Sequence, residues 1–207
     1  VRTSTEILYE HTRHDGFGHV ENLLPTIHSL LSEASLATGD LDLIVCAKGP
    51  GSFTGLRIGL STAKGLALAS GCPLLTVPTL DAYAYRFRTC NGVVLPVVDA
   101  RKGRIYTAVY EHGIRKSDYL DISPANLPGL VESRGEPTML TGTSSRLLGE
   151  IRNNFNEAEV DPCPMTGRSE AYMAIGEKLF EENGPDPDDA GPLYIRKSDA
   201  EFGGAGG

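Results

Sequence analysis

Three histidines near the start of the sequence are the first residues that could support chemistry. His11, His14 and His19 lie close together in the segment HTRHDGFGH. Neutral imidazole is a common ligand of transition metals. However, Gly16 and Gly18 interrupt the segment, so no helical face would hold the three rings together. We therefore interpret this segment as a polar loop and predict no metal site.

The second candidate site is a Gly-Pro-Gly turn that follows an apolar run at residues 41–47. Ser52 or Thr54 can cap the helix predicted after this turn, and Gly71 is expected to end it. The order strand, turn, helix brings backbone N–H groups together, which suits an anion or a tight packing corner. The candidate anion or nucleotide contacts are Gly49, Gly51 and Ser52. A Walker loop needs Lys followed by Ser or Thr after its last glycine, and the absence of that pair argues against an NTPase.

The helix after the turn carries a row of small residues. Gly55, Gly59, Ala63 and Ala67 recur every four residues and predict a shallow groove along one helix face. Each glycine costs about 0.5 to 1 kcal/mol relative to alanine, and close packing of another helix is the commonest compensation. The sequence leaves open whether that helix belongs to the same chain.

An amphipathic helix is predicted before this segment. Its apolar residues recur at spacings of three and four, and they are Val20, Leu23, Leu24, Ile27, Leu30, Leu31 and Ala34. Pro25 either kinks the first turn or begins the regular helix. Core packing explains the stripe without any function.

Strands and helices alternate along much of the remaining sequence, which predicts an α/β fold. Thr79 is expected to cap a helix that runs to Arg88, and residues 124–131 are a further helical candidate. Runs at residues 93–98 and 105–110 predict a hairpin with Asp99, Arg101, Lys102 and Arg104 near its tip. Such charged tips are most often simply solvated, and we favour that interpretation here.

Composition limits the remaining function classes. The 207 residues carry a formal net charge of −8, which disfavours a broad phosphate-binding surface, so we expect any role with nucleic acid to need a partner. The four cysteines form no CxxC pair and are interpreted as reduced thiols. With no apolar run of membrane-spanning length and no signal pattern, we expect a cytoplasmic protein.

Four segments resemble the TsaB (YeaZ) family: HVENLLP, GPGSFTGLRIGLSTAKGLA, VVDARKGRIYTAVY and PLYIR, which lie between His19 and Arg196. The resemblance implies an α/β protein of two actin-like or sugar-kinase-like (ASKHA) subdomains, with mixed sheets flanked by helices. We expect subdomains at residues 1–90 and 91–207, with the helix near 169–182 packing back on the first. The family's opening hairpin is incomplete here, because Thr3 to Glu6 stand almost directly against Ile7.

The resemblance also implies a function, that of a non-catalytic scaffold or activator. The chain would pair with a TsaD-like catalytic subunit, and through the complex with a TsaE-like ATPase. TsaD transfers the threonylcarbamoyl group of threonylcarbamoyl-AMP to N6 of the tRNA adenosine beside the anticodon. The chain itself would require no cofactor, although ATP or ADP at the junction of the complex stays open. It would meet tRNA only through the complex, form a homodimer when alone and have no role at a membrane.

In this family, the helices at residues 20–34 and 55–69 would dock on TsaD in a four-helix bundle. The expected interface residues are Val20, Leu23, Leu24, Ile27, Leu31, Gly55, Arg57, Gly59, Leu60, Ala63 and Lys64. TsaD binds its catalytic metal through two histidines four residues apart, and those positions here are Thr79 and Tyr83. Neither supplies an imidazole, so we expect no metal chemistry.

Two other function classes remain as alternatives. One is a stand-alone homodimeric regulator that uses the same helix groove. The other is a kinase-like or metallopeptidase-like enzyme, which lacks support because the sequence contains no HxxxH, HExxH or GxGxxG motif. Co-purification with a TsaD-like protein would discriminate among these alternatives.

Overall fold

The computed structural model describes residues 1, 9–12, 19–131, 136–142, 144–155, 157–163 and 168–196, without the side chains of residues 19 and 20. The helices are α1 (His19–Glu33), α2 (Phe53–Ser70), α3 (Thr79–Tyr85), α4 (Ser145–Arg152) and α5 (Arg168–Asn183). The strands are β1 (Ile44–Gly49), β2 (Leu74–Pro78), β3 (Val93–Arg101), β4 (Arg104–Thr107), β5 (Tyr110–Glu111), β6 (Ile114–Arg115), β7 (Leu120–Ile122), β8 (Thr138–Gly142) and β9 (Ala158–Val160).

The chain divides into two compact units. Unit 1 comprises Val1–Lys48, Ser52–Val77 and Ser169–Pro192, and unit 2 comprises Gly49–Gly51, Pro78–Arg168 and Leu193–Gly207. The subdomain boundary expected at residues 90 and 91 stays a prediction.

Unit 1 is built around the two-stranded sheet of β1 and β2 and the helices α1, α2 and α5. The amphipathic helix expected at residues 20–34 is confirmed as α1, which continues through Pro25 and contacts α2. A Cβ added to Gly176 would lie only 2.6 Å from Cγ2 of Val45. Glycine therefore allows α5 to lie directly against β1.

Hydrogen bonds connect the segment after α5 to the rest of unit 1. The Asp186 carboxylate accepts from the Thr76 N–H at 3.0 Å and from the Thr76 hydroxyl. The Asp186 N–H donates to the Leu74 carbonyl at 2.9 Å. Lys64 Nζ donates to the carbonyl oxygen of Asp188 at 2.6 Å. These bonds hold residues 186–188 beside β2 and α2.

Unit 2 contains a seven-stranded mixed sheet. β3 lies near its centre, where it pairs antiparallel with β4 and β5 and parallel with β8. β9 continues the parallel part beside β8, while β7 and β6 pair antiparallel with β4 and β5. Thus the predicted hairpin of β3 and β4 is confirmed, with its turn at Lys102 and Gly103.

Two apolar clusters stabilise unit 2. The larger joins buried side chains of β3, β4, β8 and α4, including Leu95, Ile105, Leu140 and Leu148. The smaller joins α3 to β3 and β5 through Leu80, Val94 and Tyr110. Helices therefore contact the sheet in both clusters, as a layered α/β arrangement requires.

Two local predictions between residues 79 and 110 were wrong. Thr79 is the first residue of α3 and not its cap; the cap position is Pro78, and α3 ends at Tyr85 instead of Arg88. The strand expected at residues 105–110 is divided after Thr107. The division has a structural reason, because the Val109 N–H donates to Ser117 Oγ at 3.0 Å and its carbonyl accepts from the Lys116 N–H at 2.7 Å.

Candidate partner-binding surface

Helix α2 is positioned by signals at both of its ends. Ser52 occupies the N-cap, and its hydroxyl accepts from the Gly55 N–H at 3.4 Å. Gly71 occupies the C-cap in the left-handed conformation with φ of 71°, which glycine adopts without a Cβ penalty. Both ends agree with the sequence-based prediction.

The row of small residues on α2 lies on its inward side. Leu60 and Ala63 are buried, and a Cβ added to Gly59 would lie 4.0 Å from the Cys46 sulfur of β1. A Cβ added to Gly55 would lie 3.5 Å from Ser52. Gly59 and Ala63 of this row therefore lie toward their own unit, and docking of a partner helix along the row stays a prediction.

The opposite side of α2 is exposed along its length. Its residues recur every three or four positions and are Phe53, Arg57, Ser61, Gly65 and Leu68, which we name the outward stripe. Leu68 is 88% exposed and Phe53 is 40% exposed. The Arg57 guanidinium carbon lies 3.9 Å from the centroid of the Phe53 ring. Among the described residues, no atom outside the backbone of α2 itself lies within 4 Å of a Cβ added to Gly65, so another helix could approach closely there.

The α1 residues of the predicted interface differ in exposure. Leu24 is 52% exposed, whereas Leu31 is buried. Leu23 and Ile27 are half-buried, and the side chain of Val20 lies outside the described residues. Lys64 of α2, which was also predicted, is half-buried and already bonded to Asp188. The exposed members of the predicted set are thus Leu24 and Arg57.

The Gly-Pro-Gly turn gives no independent sign of an anion. Gly49 is buried with φ of 102°, a conformation that favours glycine. The Ser52 hydroxyl already accepts a hydrogen bond as the helix cap. Anion or nucleotide contact at Gly49, Gly51 and Ser52 stays a prediction.

Thr79 and Tyr83 were expected to stand where TsaD has its two metal-binding histidines, and both have other contacts or surroundings here. Thr79 is buried at the start of α3. The Tyr83 hydroxyl accepts from Arg168 at 3.3 Å, and burial raises its pKa. His11 is exposed, whereas His14 and the side chain of His19 lie outside the described residues. Within the described ranges, no three His, Cys, Asp or Glu residues are grouped to bind a metal ion.

A polar cluster in unit 2 was missed by the sequence reasoning. Asp81 of α3 accepts from the hydroxyls of Tyr110 and Tyr119, the latter at 2.9 Å. Burial, followed by the Asp81 charge, raises the pKa of both phenols. They therefore stay protonated near neutral pH and act as hydrogen-bond donors. No motif connects Asp81 with residues so distant in sequence, so only the tertiary fold reveals the cluster.

Known proteins share much of this sequence and its fold. The family model TsaD: tRNA N6-adenosine threonylcarbamoyltransferase matches residues 11–123. A Bacillus subtilis protein named tRNA threonylcarbamoyladenosine biosynthesis protein TsaB is 43% identical over 94 residues, which are 45% of this chain and 41% of that protein. The Escherichia coli protein of the same name is 38% identical over 95 residues, again 45% and 41% of the two chains.

A solved structure extends the likeness in fold to most of the chain. An uncharacterized Pseudomonas aeruginosa protein with similarity to peptidase YEAZ superposes with a TM-score of 0.69 at 23% identity, covering 86% of this chain and 84% of that one. The expected α/β fold of the actin-like class is thereby confirmed.

The chain belongs to the family described by the TsaD model and, within it, to the TsaB (YeaZ) family. Its matched segments span less than half the length of these two curated relatives. None of the helices in the described ranges has the length and apolar composition needed to cross a membrane.

Proposed function

We propose that this chain acts in the biosynthesis of threonylcarbamoyladenosine in tRNA, as the non-catalytic partner of a TsaD-like subunit. The observation that carries the proposal is its 43% identity to a protein named for that pathway. In this account the partner transfers the threonylcarbamoyl group to the adenosine beside the anticodon, and this chain supports that reaction. A TsaE-like ATPase and tRNA join through the complex, and the chain forms a homodimer when its partner is absent.

The chemistry of α3 supports a non-catalytic role. Thr79 and Tyr83 replace the two histidines expected in TsaD, and a two-histidine metal site needs imidazole nitrogens. Tyr83 also takes part in packing, because the Arg168 guanidinium carbon lies 4.4 Å from its ring centroid. Metal chemistry is therefore assigned to the partner.

The outward stripe supplies the docking surface in this proposal. Exposed apolar residues rarely persist on a soluble protein unless they meet a partner or are scattered singly. Here Phe53 and Leu68 lie on the same helix face, with Ser61 and Gly65 between them. The small residues in the middle of the outward stripe allow another helix to approach closely, while the larger side chains at its two ends supply apolar contact area. Leu24 of α1 adds a further exposed apolar side chain to this helix pair.

A pair of serine substitutions tests the docking surface. Ser61→Arg places a long charged side chain at the centre of the outward stripe, whereas Ser145→Arg makes the same change at an exposed position of α4. We expect Ser61→Arg to remain folded by circular dichroism but to lose the TsaD-like partner in size-exclusion chromatography, and Ser145→Arg to retain it. Equal retention by both variants would eliminate the outward stripe as the interface.

Genetic replacement tests the function itself. A bacterial strain depleted of its own TsaB should recover threonylcarbamoyladenosine in its tRNA when it expresses this chain with its cognate TsaD-like subunit. Mass spectrometry of digested tRNA measures the recovery. Lack of recovery despite a stable complex of the two proteins would contradict the proposal.

A further inference from the structure

A basic and aromatic surface lies on unit 2. We name it the arginine–tyrosine surface; its residues are Tyr85, Arg88, Arg115, Lys116 and Tyr119. The Arg88 guanidinium carbon lies 4.2 Å from the ring centroid of Tyr85. The Arg115 guanidinium carbon lies at the same distance, 4.2 Å, from the ring centroid of Tyr119. The surface therefore contains two guanidinium groups, each stacked on a phenol ring.

Contacts place the two stacks beside each other. A Cβ added to Gly113, in the turn between β5 and β6, would lie 2.7 Å from Cβ of Arg88. The hairpin that carries Arg115 therefore lies directly on the turn that carries Arg88. In addition, the Tyr119 hydroxyl bonds to Asp81 of α3, the helix that also carries Tyr85. The two stacks thus form one continuous surface.

Each arginine side chain donates a hydrogen bond to a nearby backbone carbonyl, which fixes its position. Arg88 Nη1 donates to the Tyr85 carbonyl at 3.2 Å, and Arg115 Nη1 donates to the Ser117 carbonyl at 2.9 Å. Each guanidinium has five N–H donors, so most of them stay available to a ligand. Stacking also restricts side-chain motion, which lowers the entropy lost when a ligand binds.

The positive charge of this surface stands out in a chain of net charge −8. Arg88, Arg115 and Lys116 are exposed. The nearest acidic residues in sequence are Glu111 and Asp118, while Asp81 is engaged by the two tyrosines. The five residues of the arginine–tyrosine surface themselves carry three positive charges and no negative charge.

We propose that the arginine–tyrosine surface contacts the phosphate backbone of tRNA when the chain is bound to its TsaD-like partner. This inference rests on the proposed function, which makes tRNA the available polyanion. Planar guanidinium groups match phosphate oxygens in two parallel hydrogen bonds, and aromatic rings beside them accept unstacked bases. Three cations add a modest contribution, so the isolated chain binds tRNA weakly and the complex binds it more tightly.

The salt dependence of tRNA binding tests this proposal. The variant carries Arg88→Gln, Arg115→Gln and Lys116→Gln, and the control carries Arg146→Gln, Arg152→Gln and Lys178→Gln at exposed positions elsewhere. Both variants lose three positive charges, so any difference in their tRNA binding comes from where those charges were removed. Each is assembled with the TsaD-like subunit and titrated with an unmodified tRNA transcript at several salt concentrations.

Counterion release sets the expected size of the effect. Three lost phosphate contacts should reduce the slope of log K against log salt concentration by about 2 to 3 and raise the Kd about 100-fold at 0.1 M salt. The control should keep the wild-type slope. Arg115→Lys alone should keep most of the slope, because it preserves the charge while weakening the stack.

The outcomes separate this inference from the proposed function. Equal slopes for the variant and the control, in complexes that still modify tRNA, would overturn the surface and leave the proposed function intact. Loss of the TsaD-like subunit by the variant would show that the surface binds protein, which also overturns the inference. If the wild-type chain forms no complex with that subunit, both proposals fail together. Circular dichroism confirms that each variant is folded.

Discussion

The contrast between Gly59 and Gly176 gives a quantitative test of how α2 and α5 pack in unit 1. Alanine in place of helical glycine stabilises a helix by about 0.5 to 1 kcal/mol. At Gly59 the new Cβ would lie 4.0 Å from the Cys46 sulfur, so the full gain should appear. At Gly176 it would lie 2.6 Å and 2.9 Å from the two methyl groups of Val45, so atoms must shift. Such overpacking costs about 1 to 3 kcal/mol.

We therefore expect opposite signs for the same substitution. Gly59→Ala should raise the free energy of unfolding by about 0.5 to 1 kcal/mol, and Gly176→Ala should lower it by up to about 2 kcal/mol after the propensity gain is subtracted. Urea unfolding followed by circular dichroism measures both changes. Adding Val45→Ala to Gly176→Ala should remove the overlap, with a coupling energy of about 0.5 kcal/mol or more. A Gly176→Ala variant as stable as Gly59→Ala would refute this account of the packing.

Three further predictions follow from the same structure. Ser52→Ala should destabilise the chain by about 0.5 to 2 kcal/mol because the α2 cap is lost, whereas Thr54→Ala should be nearly neutral in the same urea titration. A thiol reagent at pH 8 should label the exposed Cys90 and Cys163 well before Cys46 and Cys72, because burial raises the pKa of Cys46 to about 11 and raises that of Cys72. If mass mapping of the labelled peptides showed the reverse order, that result would contradict the fold. The free energy of unfolding should fall as pH rises above about 9, since the unfolded chain releases protons from Cys46, Tyr110 and Tyr119 before the folded chain does; a flat profile between pH 8 and 11 would contradict the burial of these groups.

Local chemistry predicted the ends of α2 well. Ser52 at the cap and Gly71 at the left-handed C-terminal position depend on residues only a few positions apart. Apart from the hairpin of β3 and β4, the strand pairing of unit 2 could not be predicted in this way. β3 pairs in parallel with β8, beginning with Val93 of β3 opposite Thr138 of β8. Nothing in the sequence of either strand specifies the other as its partner.

The orientation of α2 is the most instructive failure. Small residues at four-residue spacing predict a shallow groove, and at Gly59 that groove faces the protein's own strand β1, with the Cys46 sulfur 4.0 Å from an added Cβ. The sequence of α2 is apolar or small on several faces, so the pattern alone cannot tell which face is buried. Only the position of β1 distinguishes the inward row of Gly59 and Ala63 from the outward stripe.

Helical propensity was also overestimated in one place. Residues 124–131 were expected to form a helix, yet they form two short 3-10 turns, Pro124–Asn126 and Pro128–Leu130. Proline lacks the N–H that would extend the first turn into the second. The apolar residues nevertheless reach the core, where Leu127 is fully buried.

The central claim is that the chain is needed for tRNA modification but does not perform the chemistry. Purified TsaD-like and TsaE-like proteins, threonylcarbamoyl-AMP, ATP and unmodified tRNA are combined with and without this chain, and threonylcarbamoyladenosine is measured by mass spectrometry. We predict product only in the complete mixture, and none when the TsaD-like subunit is omitted. Product at an undiminished rate without this chain, or product from this chain without the TsaD-like subunit, would contradict the account.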